Sequence, residues 1–499
     1  MEIGSISNIY LIIFAPLISS LLCQVIHFKN SSFIIYIVTI FLLFFLILKI
    51  FPDILIYEKI QNDYQLAISS LALEFSLDIV GIVFLALIIF LLAIIIIFYR
   101  QDVRKTLSSK NQSHFYSVQL LNLFSIIGLI CSNNIFNIYF FIEIYSFTFF
   151  AITTISYNLR LLQLSFKIFC LSAVSSILIL ICFYAIYLSF DAVNLDKIVE
   201  NLFLMPIDKM WFIMSVFVIL AIAFIFKFFP IWQYFKKITN KSAIANFIMF
   251  DAFFIKVLIG MFISLKFTYF FFGSKFIFSH FNLSKILILC AFLLVLFSSI
   301  KLYRVKNLKL IYIYLSLNNI GFMILAVAIQ SIESLQALFF FLLNFATVNL
   351  GFFLLASYLK NNLNILSIKQ LDKIPNFDSK ILIPLKFIIA FIIALPFTFL
   401  FFGYWYIGLA SFDNNLNFIT LIILMFSSFS CFLVAIRIMK NFPANSLQTT
   451  NNNDFMMVNY SQIIALWLVV ASIILFIFLS DITNQMSLRF ASFLTANSI

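Results

Sequence analysis

Ala221-Ile222-Ala223-Phe224-Ile225-Phe226-Lys227-Phe228-Phe229-Pro230 is the stretch whose reading decides the fold. Apart from Lys227 and the closing proline, every side chain in it is apolar, as in a helix that crosses a bilayer. A charge at that depth costs about 2.5 to 3.5 kcal/mol on insertion scales, so Lys227 reads as part of an ion or proton path. Glu143 lies in a second apolar segment, 136–150, and Lys256 in a third, 247–265, although only 10% of the chain is charged.

The rest of the chain agrees. With 64% hydrophobic residues and a mean hydropathy of +1.14, the 499 residues carry more apolar side chain than a soluble core buries. Apolar windows of about 20 residues recur along the whole length, about fourteen of them, each able to cross a hydrocarbon core about 30 Å thick. Their long, non-alternating runs select helices over a barrel, because backbone polar groups in lipid must be satisfied within the segment. The fold class expected is therefore all-α, a polytopic membrane protein. The 70 phenylalanines against nine glycines read as codon drift in an AT-rich genome, not as a function. The opening Met1-Glu2 lacks a basic region before Leu11–Leu22, so the first segment reads as a retained span and not a cleaved signal.

Several chemistries have no support. Cys23, Cys131, Cys170, Cys182, Cys290 and Cys431 lack the paired spacing of an iron–sulfur set or a disulfide frame. His27, His114 and His280 fall in or beside polar gaps, which leaves no intramembrane histidine for haem or metal. No glycine-rich phosphate loop is present. The expectation is a chain with no metal, no cofactor and no redox centre of its own.

The net charge of +12 fits the positive-inside rule better than a nucleic-acid partner. The gap 52–74 holds Asp53, Glu58, Asp63 and Glu74 against Lys59, and 191–208 is also acidic. Alternate gaps are basic: Arg100, Arg104, Lys105 and Lys110; then Lys236, Lys237 and Lys241; then Lys301, Arg304, Lys306 and Lys309; then 360–386. Threading the spans through this alternation places the basic set inside and both termini outside, with Lys275 and Lys285 against the trend. The spans run roughly 8–26, 33–51, 77–99, 117–132, 135–155, 164–189, 210–230, 243–265, 285–302, 310–330, 334–358, 381–411, 416–437 and 460–480. The polar patch 445–453 reads as a loop.

Pro230 breaks the seventh span just after Lys227, and Pro396 breaks the twelfth within Ala394-Leu395-Pro396-Phe397-Thr398. Matched proline breaks are the sequence pointer to the discontinuous helices of inverted-repeat transporters. Their separation fits two inverted five-helix repeats, spans 4 to 8 and 9 to 13, and so divides the chain into N-terminal helices (1–115), a first repeat (116–270), a second repeat (271–440) and a polar loop with a C-terminal helix (441–499). A buried lysine suits proton transfer because burial disfavours its charged form and a nearby carboxylate favours it, so movement of Glu143 relative to Lys227 would switch the proton on and off. A static ion pair that holds helices together is the competing reading of the same residues. Asp251 is a further buried candidate, but five residues before Lys256 it stands about 140° away on a regular helix, and only a local bulge would let the two meet.

Here a family resemblance becomes specific. Asn137-Ile138-Tyr139-Phe140-Phe141-Ile142-Glu143 resembles the fifth-helix motif of the antiporter-like subunits of respiratory complex I (the L, M and N subunits of the bacterial NADH-quinone oxidoreductase) and of the D-type antiporter component of Mrp sodium/proton antiporters. Phe226-Lys227-Phe228-Phe229-Pro230 is similar to their seventh-helix motif and Phe254-Ile255-Lys256-Val257 to their eighth. Leu308-Lys309 with Tyr314-Leu315-Ser316-Leu317-Asn318-Asn319-Ile320-Gly321, then Leu350-Gly351 and Ala394-Leu395-Pro396, extend the likeness over roughly 136–438.

The resemblance implies that Glu143 and Lys227 are the coupling pair and Lys256 the next relay of a central hydrophilic axis. It also implies partners, namely other membrane subunits of a hetero-oligomeric complex in a bacterial cell membrane or mitochondrial inner membrane, with protons, and Na+ as a second candidate, as the transported ions. Three departures stand out. Phe235-Lys236-Lys237-Ile238 replaces the family's Leu-Pro-Asp-Ala-His loop, Asn349 stands where several members have a lysine, and Tyr404 stands where they end in lysine or glutamate. Asp251, Asn349 and Tyr404 are thus candidates for relay or water path only. The first half is intact and the second eroded, as in a divergent member. Two functions compete: a non-redox, proton-translocating subunit of a complex I or Mrp-type assembly, and a structural filler that occupies an antiporter-like slot without transport. An independent transporter of organic substrates lacks the glycine-rich unwound site it would need.

Overall fold

The computed structural model describes residues 3–26, 30–61, 74–155, 159–203, 207–228, 246–247, 250–270, 283–373, 379–413, 417–441 and 460–496. Among them, twelve helices are long and apolar enough to cross a membrane. With the helical stretch through Lys256 and a helix pair flanking Pro396, they account for the about fourteen spans expected. The protein is an all-α, multi-pass integral membrane protein.

The chain divides into two compact units. The first comprises 1–93 and 102–273, and the second 94–101 and 274–497, apart from the last two residues.

In the first unit, α1 (Ile3–Val25), α2 (Ser31–Tyr57), α3 (Ile79–Thr106), α4 (Ser109–Cys131), α5 (Ile135–Thr154), α6 (Leu159–Phe190) and α8 (Ile207–Phe228) run between short connections, with a small helix α7 (Leu195–Phe203) inside the acidic gap. A strand pair, β1 (Lys59–Gln61) and β2 (Ser76–Asp78), is antiparallel with Ile60 opposite Leu77. Both α7 and this pair are too short and too polar to read as spans. The first unit ends in α9 (Lys256–Leu265), which carries a π-turn at each end, Asp251–Ile255 and Lys266–Phe270.

Helix ends are written in the sequence. Asp78 caps α3 by accepting from the Gly81 N–H at 2.6 Å, and Asn134 caps α5 by accepting from Phe136 N–H at 2.9 Å. The α3 helix runs on to Thr106, past the expected end near residue 99, because its basic tail is made of good helix formers whose charged heads leave the apolar layer while the backbone stays helical. Only Leu107 and Ser108 then separate it from α4.

On α2, Ile34, Val38, Phe41, Phe45 and Leu48 are exposed while Phe33, Tyr36, Ile40, Leu43 and Ile47 are buried. Both faces are apolar, so the 3- and 4-residue spacing separates lipid from protein and not polar from apolar. Gly128 on α4 has the ring of Phe141 where a Cβ would stand, and that ring is held by Phe124 at 5.5 Å and Phe75 at 6.2 Å. Gly128→Leu should therefore lower the yield of folded protein and its melting temperature in detergent, through overpacking of about 1 to 3 kcal/mol or more. Unchanged melting would show that α4 and α5 do not meet this closely.

The second unit contains α10 (Leu283–Arg304), α11 (Leu308–Ile329), α12 (Ile332–Asn344), a π-turn (Phe345–Asn349), α13 (Leu350–Leu363), α14 (Ser379–Ile392), α15 (Phe399–Asp413), α16 (Asn417–Lys440), α17 (Tyr460–Phe478) and α18 (Ser480–Ala496). Its centre is α12–α13, whose most apolar window is 94% buried, against 28% for α10. Between α14 and α15 the chain leaves helical geometry, with positive φ at Ala394 (59°) and Phe397 (68°) on either side of Leu395-Pro396. The expected break of the twelfth span is there. The expected break at Pro230, the Lys236, Lys237 and Lys241 loop, His27, His280 and the 445–453 patch lie outside the described residues. Where one C-terminal helix is expected, the structure has two, because α18 is amphipathic, burying Phe490, Ala491, Phe493 and Leu494 and exposing Ile482 and Leu488, too polar to read as a span.

Candidate functional site

Glu143 projects from α5 and Lys227 from the last turn of α8. Lys227 is 4% exposed, and its Nζ donates to Glu143 Oε1 at 3.0 Å. This is one of two ion pairs among the described residues, and the one inside the spans. The amine also donates to Ser176 Oγ on α6, a buried hydroxyl that in turn donates to the Ser172 carbonyl at 2.9 Å. The glutamate side chain retains 25% exposure, so one end of the pair is wetter than the other.

Asp251 and Lys256 flank the first π-turn, in which the Lys256 N–H bonds the Asp251 carbonyl five residues back. That i to i+5 step closes one wide turn, so two residues that a regular helix would hold about 140° apart come close to one face. Both are buried, Asp251 at 2% and Lys256 at 8%. Tyr145 on α5 donates its hydroxyl to Asp251 Oδ2 at 2.9 Å, and the Lys256 Nζ stands 3.9 Å from the centroid of the Phe149 ring. An ammonium over an aromatic face gains electrostatic stabilisation without a counter-ion.

One cavity joins these parts. Lys227 and Lys256 both line it, with Tyr145, Ser146, Phe149 and Ser172, and its volume is about 10 Å³. That is room for about one water. Tyr145, Ser146, Ser172 and Ser176 were missed by sequence reasoning. The available signal was the four-residue spacing of Ser172 and Ser176, which places two hydroxyls on one face of the apolar α6.

The second unit holds a different set. Asn349 closes the π-turn after α12, and Tyr404 sits on α15. The Tyr404 hydroxyl meets Ser427 Oγ at 2.7 Å, Asn318 Nδ2 donates to the same oxygen at 2.7 Å, and Ser298 Oγ donates to Asn318 Oδ1 at 3.2 Å. Beside this chain lies a second cavity of about 10 Å³, lined by Asn318, Asn319, Asn344, Asn349 and Cys431 among others. Three buried polar atoms of its lining residues have no protein partner, Asn319 Oδ1, Asn344 Oδ1 and Asn349 Nδ2. Two acceptors and one donor match what a single water offers, two hydrogens and a lone pair. None of the side chains named here is charged. Among the described residues, no lysine or carboxylate lines this cavity.

Comparison with known proteins agrees with the fold. The family described as NADH:quinone oxidoreductase/Mrp antiporter, TM, matches residues 132–430. No curated protein matches the chain. Among solved structures, a chain of the membrane-bound sulfane sulfur reductase (MBS), an archaeal respiratory membrane complex, is similar with a TM-score of 0.80 and 18% identity, over 98% of this chain and 99% of that one. A chain of the Mrp complex from Dietzia sp. DQ12-45-1b is similar with a TM-score of 0.80 and 12% identity, over 99% and 98%. A chain of respiratory complex I from Thermus thermophilus with bound NADH gives 0.72 and 15%, over 97% and 99%. At these identities the structural likeness speaks for the fold, and the family match, which spans more than half of the chain, speaks for descent. The chain belongs to the NADH:quinone oxidoreductase/Mrp antiporter transmembrane family.

Proposed function

We propose that this chain is a non-redox, proton-translocating membrane subunit of a complex I type NADH-quinone oxidoreductase or an Mrp-type cation/proton antiporter, and that Glu143, Lys227 and Lys256 are its relay. The observation that carries this reading is the water-sized cavity shared by Lys227 and Lys256, with Glu143 on the far side of Lys227. Glu143 near Lys227 favours the ammonium. Withdrawal of the carboxylate leaves a buried amine that releases its proton, and the cavity offers the route to Lys256 through one water. Asp251 steadies the charge on Lys256, and Tyr145 holds Asp251 in place.

The similar solved chains belong to multi-subunit membrane complexes, which supports companion membrane subunits for this one, in a bacterial cell membrane or mitochondrial inner membrane. On this reading redox cofactors reside on companions. Purification of the native complex with identification of its companions, followed by proton and Na+ flux measurements in vesicles, tests the assignment. Quinone-enzyme companions decide for the first assembly and small antiporter subunits for the second.

The uncharged cavity of the second unit favours a second reading, a filler subunit with no transport of its own. Tyr404 separates the two. A phenol ordinarily ionises near pH about 10, so Tyr404 passes hydrogen bonds without storing a proton. On the transport reading, Tyr404→Phe lowers flux modestly, by about two- to tenfold for one net hydrogen bond lost, and Tyr404→Lys is tolerated or raises coupling. On the filler reading, flux stays at background in both variants and in the unmodified protein.

A further inference from the structure

A second group of ionisable residues lies away from the relay, at the end of the first unit where α2, α4 and α6 finish and α3 and α5 begin. Strand pair β1–β2 and the bridges Phe75 to Ser132 and Asn134 to Asn194 knit this end together. Lys59 Nζ pairs with Asp196 at 2.7 Å, and Asn133 Nδ2 donates to the other oxygen of the same carboxylate at 2.7 Å. These residues, with Asp78 and Lys266, line a cavity of about 10 Å³, room for about one water.

Lys266 is the unusual member. It is 6% exposed, it belongs to the same helical stretch as Lys256, and among the described residues no carboxylate lies within ion-pair distance of it. Its only hydrogen bond there is from Nζ to the Ser132 carbonyl at 2.5 Å, which leaves two of its three N–H groups for the cavity. The charged side chains that share its cavity are Asp78, Lys59 and Asp196. A lysine that only capped the α4 C-terminus would satisfy the dipole there from an exposed position at no desolvation cost. This one is buried beside a water-sized space that Asp78 and Asp196 also line.

We propose that Lys266, with Asp78 and Asp196 across this cavity, is a proton port at the acidic-loop end of the first unit. The inference rests on the proton-translocating reading. The Lys266 ammonium passes a proton through cavity water to a carboxylate of Asp196 or Asp78 and becomes a neutral amine. The carboxylic acid then releases that proton to the aqueous phase, and the amine regains one from the Lys256 side. Lys256 stands ten residues earlier in the same helical stretch, about 15 Å away, a distance that water must span.

The test is proton flux in vesicles bearing the native assembly, comparing Lys266→Arg, Lys266→Met and Asp196→Asn with Lys227→Ala. Arginine keeps the charge and the bond to Ser132 but does not release a proton. The port predicts that both Lys266 variants lose at least about tenfold in flux at normal assembly, and that Asp196→Asn, which keeps hydrogen bonds to Lys59 and Asn133, loses several-fold. Wild-type flux in Lys266→Arg overturns the port and leaves Lys266 as a fixed charge. If neither Lys266 variant assembles, Asp196→Asn decides alone, and wild-type flux in it overturns the port. If Lys227→Ala also leaves flux unchanged, the relay reading itself has failed.

Discussion

Replacement of Lys227 by alanine is expected to lower proton or Na+ flux through the reconstituted assembly at least about tenfold, with insertion and assembly preserved. The amine is the one group that touches every part of the relay: Glu143 at 3.0 Å, Ser176, and the cavity it shares with Lys256. An alanine enlarges that cavity, and water entering it can carry a hydrogen-bond chain but has no site that holds a proton against the bilayer field. Glu143→Ala should give a loss of the same order for the complementary reason, since the buried amine then has no carboxylate beside it to favour its charged form. Glu143→Gln is the informative companion. It keeps a hydrogen bond to Lys227 and removes the charge, so a static pair that only holds α5 to α8 survives the change while a charge switch does not. Flux at the unmodified level in an assembled Lys227→Ala protein would rule out the relay.

How much of this was legible in the sequence depends on what burial costs each residue. Glu143, Lys227 and Lys256 stand out because a charge among phenylalanines is too costly to persist without a role, and the order of the three matched a known pattern. Tyr145, Ser172 and Ser176 did not stand out. A serine in a membrane helix can donate to a carbonyl four residues back, as Ser176 does to Ser172 and Ser146 to Ile142, so it costs little and signals little. The asparagine cavity was hidden by a different cause. Asn318 and Asn319 on α11 and Asn344 and Asn349 around the π-turn are brought together by tertiary packing, and the family likeness, which covered Asn318, Asn319 and Asn349, carried no sign that they meet or that Asn344 joins them. The outer group around Lys266 depends on five chain segments, those of Lys59, Asp78, Asn133, Asp196 and Lys266 itself, meeting at one end of the unit. The proline break before α15 was legible because proline removes a backbone donor, whereas the two positive φ values beside it belong to alanine and phenylalanine, residues that carry no turn signal.

The π-turn at Asp251–Ile255 sets up the other large expected effect, in Lys256. Lys256→Met keeps most of the stem over Phe149 but leaves Asp251, 2% exposed, with Tyr145 and without the cation five residues along the helix. A buried carboxylate left without a nearby compensating cation is destabilising, so assembly of this variant should fall together with flux. Asp251→Asn added to Lys256→Met removes the orphaned charge, and the Tyr145 hydroxyl still finds an oxygen. The double variant should therefore recover assembly and melting temperature. Flux should not recover: it should stay at least about tenfold down, because neither methionine nor asparagine holds a proton beside the cavity of Lys227. Co-purification of companion subunits reports the first quantity and vesicle acidification the second. If the double variant regained both, Asp251 and Lys256 would be a structural pair that the π-turn holds together, and the relay would have to end at Lys227. Recovery of assembly alone separates the charge balance that the fold requires from the titratable amine that transport requires.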